Sequence, residues 1–132
     1  MGVPTTFADV ETSFHSMPLT KYEIATDLEK EWLKIAVADY ELELDRDLGY
    51  DKDAAVFSDE LDLITIRILA LMMYVCYLQR ELSRVMALNA IYGRDIQITG
   101  GDGTKRVTKA EFENEITRVN ERLHKLKKHS FS

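Results

Sequence analysis

The chain has 132 residues, the size of one domain, with enough length to bury a modest core. Its 23 acidic and 17 basic residues leave a net charge of −6, which argues against a general nucleic-acid binder, since those carry a basic excess. Residues 1–104 hold 9 Lys/Arg against 19 Asp/Glu, whereas 105–132 hold 8 against 4. An acidic body with a basic tail suggests polar contacts with different partners or with neighbouring copies of itself.

The opening segment, 1–19, is expected to be extended, with both prolines, Pro4 and Pro18, inside it. It lacks the basic start and apolar centre of a secretory signal. "MGVPTT" fits a loose myristoylation pattern with no second membrane signal beside it. Ser/Thr residues with Glu three places later, the signature of a reciprocal helix cap, occur at Thr20–Glu23, Thr26–Glu29 and Thr108–Glu111. The first long helix is expected from about Thr26, or from Thr20, to Leu44, with Leu28, Trp32, Ile35 and Leu42 near helical spacing and Leu33, Val37, Tyr40 and Leu44 widening the apolar face.

"ELELDRDLGYDKD", 41–53, is dense in acids. A calcium loop started at Asp45 meets Gly49 at its third acidic position and Val56 at its twelfth; started at Glu43, it meets Leu48 and Ala54 where glycine and glutamate are required. A solvated acidic loop is the expectation. The longest helix should run from about Asp59 to Ile91 and occupy the centre of the domain or a contact with another chain, because its middle is apolar all round. Its apolar run 68–78 is too short to span a bilayer. Cys76 lies inside that run and reads as a buried small hydrophobe, and a lone cysteine builds neither a disulfide framework nor a thiolate metal site within one chain.

"DIQITGGDGTKRVTKAEF", 95–112, combines a strand-like run with a glycine loop and a lysine, as phosphate-binding loops do. The spacing fails the test. Lys105 follows Thr104 rather than Gly103, Ile98 stands where the first glycine should be, and Asp102 would repel a phosphate. Alternation in "IQIT" and "TKRV" around "GGDG" points instead to a β-hairpin over 95–107, with Ile96, Ile98 and Val107 sharing a face if register permits. A helix over 109–128 follows, with Phe112, Ile116, Val119, Leu123 and Leu126 at spacings of 4, 3, 4 and 3. That seam is too short for a free-standing coiled coil and has to pack on the rest of the domain. Residues 129–132 read as a flexible tail.

His15 lies in the N-terminal segment; His124 and His129, five apart, do not share a helical face and no carboxylate-rich cluster surrounds them, and no serine elbow or Cys–His arrangement is visible. No metal, cofactor or catalytic residue is expected. The residues therefore describe a mainly α single domain: a small helical bundle with a long central helix and a protruding hairpin or loop before the C-terminal helix. Such a chain is expected to be soluble and intracellular.

"LSRVMALNAIYGRDIQITGGDGTKRVTKAEF", 82–112, set between an apolar central helix and a basic C-terminal helix, resembles the head–tail connector, or adaptor, proteins of tailed phages, and "VPTTFADVETSFHSMPLTKYE" is similar to their N-termini. The likeness covers most of the chain. It implies a helical virion subunit of the neck, made in the host cytoplasm, that forms a ring, commonly of twelve copies, between portal and stopper or tail proteins. DNA would pass the lumen without specific binding, and no membrane is involved. Family loops and C-terminal segments make ring and portal contacts, which by position nominates Ile96, Ile98, Thr99, Asp102, Lys105, Arg106, Lys125, Lys128 and Phe131. The alternative is another non-enzymatic assembly or binding protein, such as a tail-completion factor or a cytosolic helical regulator.

Overall fold

A computed structural model describes residues 3–17, 19, 24–92 and 109–130. The element order is α1 (Phe7–His15), α2 (Thr26–Leu44), β1 (Tyr50–Asp51), β2 (Val56–Phe57), α3 (Leu63–Tyr92) and α4 (Lys109–Ser130). The mainly α architecture agrees with the sequence reading, as do the bounds of α2. The hairpin expected at 95–107 and the cap at Thr20–Glu23 lie outside the described residues, and so does Thr108 of the third expected cap.

α3 organises the domain because its apolar run leaves no polar face. Ile68, Leu69, Ala70, Leu71, Met72, Met73 and Tyr74 are all buried, with α1, α2 and α4 each packed on this helix. Over Leu63–Ala87, α3 is long and apolar enough to cross a bilayer by length and composition. The three helices covering its middle make it a core helix in this fold. It begins later than expected, at Leu63, where Asp62 accepts the Thr65 backbone N–H at 2.7 Å. Hydrogen bonds from the Thr65 side chain and backbone hold the Asp62 carboxyl below its ordinary range.

α2 runs antiparallel to α3. Trp32 meets Tyr77 edge-on, 6.3 Å between ring centroids, and two turns later the Tyr40 hydroxyl lies 3.4 Å from Thr65 Oγ1. The inward face of α2 is Trp32, Leu33, Ala36, Val37, Tyr40 and Leu44; Ile35 and Leu42, expected on that face, point outward instead. A ~100°-wide stripe cannot hold all eight apolar positions, and the aromatic pair Trp32 and Tyr40 sets which way the helix turns.

α4 buries Phe112, Val119 and Leu123, with Ile116 and Leu126 partly covered, so the short heptad seam is satisfied within the chain. The Tyr74 hydroxyl donates to Glu115 Oε2 at 3.1 Å. Burial first, then the Glu115 charge, pushes the Tyr74 pKa up, which keeps that proton in place. α4 continues through Ser130, further than the expected boundary at 128, so the expected tail at 129–132 begins inside a helix.

The N-terminal segment corrects the expectation of an extended 1–19. Residues 7–15 are α-helical, started by a capping box in which Thr6 Oγ1 accepts from Asp9 N and Asp9 accepts from Thr6 N at 2.9 Å. Val10 and Phe14 are fully buried, and Phe14 packs edge-on against Trp32 at 5.9 Å. Deleting a ring so enclosed typically costs about 3–5 kcal/mol. Ahead of α1 the chain pairs with the small hairpin: Phe57 N donates to Thr5 O at 2.8 Å and Phe7 N to Ala55 O at 2.9 Å. Buried Thr5 Oγ1 also accepts from Leu61 N at 2.8 Å.

The acids of 41–53 stay largely exposed, as expected of a solvated stretch; the segment ends α2, contributes β1 and is also internally tied. Glu41 accepts from Leu48 N, Asp47 from Gly49 N, and Asp51 from Asp53 N and Ala54 N, at 2.8 to 3.2 Å. Gly49 has a positive φ of 63°, and a Cβ there would stand 2.2 Å from Ser58 Oγ, so glycine is required.

Candidate functional site

Two kinds of feature stand apart from the core: apolar side chains left outside it and a carboxylate–histidine cluster drawn partly into it. Leu42 is 83% exposed and Ile35 48%, two turns apart on the outer face of α2. Val3, 79% exposed, and Leu63, 84%, line a groove with Pro4, Leu61 and Ile66 between the N-terminal segment and the start of α3. The two patches are built from different elements.

Charge is arranged around them. The basic end of α4 folds back on the acidic end of α2 through an ion pair between Lys127 Nζ and Glu43 Oε2. Lys125 and Lys128, nominated as contacts, are exposed on the same last turns of α4. The remaining nominees, Ile96, Ile98, Thr99, Asp102, Lys105, Arg106 and Phe131, lie outside the described residues.

The cluster is Glu11, His15 and Glu29. Glu11 and His15 are one turn apart on α1, so their side chains share a face. Glu29 enters from the first turn of α2, and its side chain is 2% exposed. His15 Nε2 lies 2.8 Å from Glu29 Oε2, and one ligand atom from each of the three residues falls within 4.8 Å of the others. Glu29 Oε1 is buried with no hydrogen-bond partner among the described residues. Burial, then the neighbouring Glu11 carboxyl, raises the Glu29 pKa, while His15 pulls it down.

The sequence reading missed this group twice. It leaves Glu11 and His15 unconnected, because they are neighbours only on a helix and 1–19 is expected to be extended. It also assigned Glu29 to a cap at Thr26. In the fold Ala25 is the N-cap with no side-chain bond, and Glu29 is turned inward to His15. The signal that could have found it is the E-x-x-x-H spacing at 11–15, legible once the Thr6–Asp9 box is recognised.

Cys76 is half-buried, and burial followed by the Asp39 charge pushes its thiol up to about 11, so it carries no nucleophilic activation.

No family model matches the chain, and no curated protein or solved structure matches it significantly.

Proposed function

We propose that this chain is a structural assembly subunit: a head–tail connector that closes into a ring between portal and stopper or tail proteins and leaves a lumen for DNA. The observation that carries the reading is the pair of unlike apolar patches, Ile35 and Leu42 on α2 and Val3 and Leu63 beside the start of α3. A ring repeats one heterologous contact, which needs two different surfaces on each copy; a two-fold dimer needs only one. The excess of carboxylates in the body suits a channel along which phosphates slide without sticking, and the exposed lysines ending α4 suit an acidic portal or stopper surface. The sequence likeness to phage connectors points the same way.

Light scattering on size-separated protein, with and without portal, tests the reading. A closed oligomer is expected, and Leu42→Glu and Leu63→Glu are each expected to abolish it. Mixing the two variants should restore a single contact and stop at a dimer, because each retains the patch the other lacks. A chain that stays monomeric alone and with portal overturns the connector and leaves the other assembly or binding roles. A ring whose lumen is mainly basic overturns the account of the DNA channel.

A further inference from the structure

We propose that Glu11, His15 and Glu29 form a binding site for one first-row divalent cation, with zinc the best fit to the donor set. The site is independent of the connector reading.

The three donors come from two helices and converge without rearranging the backbone. Glu11 and His15 are held one turn apart by α1, which is itself fixed by the Thr6–Asp9 box and by the burial of Phe14. Glu29 is held by α2, in the same turn as buried Trp32. Their ligand atoms already lie within 4.8 Å of one another. Donors at ~2.1 Å from a tetrahedral zinc stand ~3.4 Å apart, so the cation needs only a small opening of the 2.8 Å His15–Glu29 hydrogen bond and a small inward movement of Glu11.

The buried Glu29 Oε1 has no hydrogen-bond donor among the described residues, and the carboxyl that reaches Glu29, Glu11, brings no positive charge with it. A buried carboxylate oxygen without a donor is costly, and its neighbours are a second acid and an imidazole that already serves the other oxygen. A dication supplies the absent positive charge and bonds the oxygens directly. Two carboxylates and one imidazole suit zinc and its first-row neighbours; calcium takes six to eight oxygens, and thiolate-seeking metals have no cysteine here. His15 is half exposed, with its side chain 51% accessible, so the fourth position faces solvent and is open to water.

Titration calorimetry of the full chain, first stripped with a chelator and then given zinc chloride, reads the site. One zinc per chain is expected, with uptake accompanied by proton release, since the metal displaces protons from its ligands. His15→Ala and Glu29→Gln should each weaken binding at least about tenfold, and Glu11→Gln, at a partly exposed position, should weaken it without threatening the fold. His124→Ala, on the exposed side of α4, should bind as the parent does. Circular dichroism establishes that each variant is folded. The proposal fails if the parent takes up no stoichiometric zinc, or if folded Glu11→Gln and His15→Ala bind zinc as tightly as the parent.

Discussion

Among the described residues two glutamates are sunk into the fold, and their surroundings differ in charge. Glu81, in the second half of α3, is fully buried; Arg84 Nη2 donates to its Oε1 at 2.7 Å and Arg80 Nη1 stands 3.7 Å from its Oε2. Glu29, at the start of α2, is equally enclosed but faces one imidazole and another carboxyl. Burial alone therefore does not mark a functional acid. What separates the two is the charge beside them: each has one carboxylate oxygen outside any hydrogen bond among the described residues, but Arg80 and Arg84 stand next to Glu81, half in water, whereas Glu29 faces an imidazole and a second carboxyl. The first arrangement carries its own positive charge, and the second is short of it.

The same change at both positions sharpens the contrast most. Glu81→Gln keeps the shape but gives up charge-assisted bonds, which are worth about 1.5–3 kcal/mol each. A loss of about 2 kcal/mol in urea unfolding is expected, limited because Arg80 and Arg84 can turn to solvent. Glu29→Gln in the presence of chelator is expected to have the opposite sign at neutral pH and a smaller size. If both variants lose stability equally, the distinction between the two glutamates collapses.

The pH dependence follows from the direction of the Glu29 shift. Its folded pKa is raised above the ordinary 4.5 by burial and by Glu11, with His15 opposing. Between the unfolded and folded values the native state holds more protons than the unfolded chain, so stability falls as pH rises through that window. The contribution is fully present below about 4.5 and is lost once Glu29 ionises in the fold. Subtracting the Glu29→Gln curve from the parent curve, both in chelator, should leave a descending step above that value. A flat or ascending difference would contradict the assigned surroundings of Glu29.

How much of this was legible in the sequence differs by element. α2 and α4 could be read because their signals are local: a helical run with clean ends for one, a heptad seam for the other. The inward face of α2 could not, because eight apolar positions surround that helix and packing of Trp32 and Tyr40 against α3 decides which are buried. α1 was hidden by the prolines on either side of it, Pro4 and Pro18, and by a cap closed with Asp9 in place of the glutamate of the usual box. The candidate metal cluster was hidden with it, since Glu11 and His15 become neighbours only when α1 forms. Glu29 lay in plain view with a capping role to explain it. In the fold Thr26 is already inside the helix and Glu29 turns to His15 instead.

The smallest effect tests whether α1 is a separable support for Glu29. Thr6→Ala removes the side chain that accepts the Asp9 N–H and leaves Glu11, His15 and Glu29 untouched. Loss of such a cap costs about 1 kcal/mol, and α1 is short, with its burial resting on Phe7, Val10 and Phe14. Hydrogen exchange should therefore quicken across α1 while the amides of α3 around Glu81 exchange as before, because fraying at one helix end stays local when the helix it rests on is intact. Zinc should restore part of the lost protection, since a cation shared by Glu11, His15 and Glu29 ties α1 to α2 where the cap no longer does. Protection of α1 that zinc leaves unchanged would show that the cluster does not bridge the two helices, and the likeness between Glu29 and an incomplete metal site would go with it.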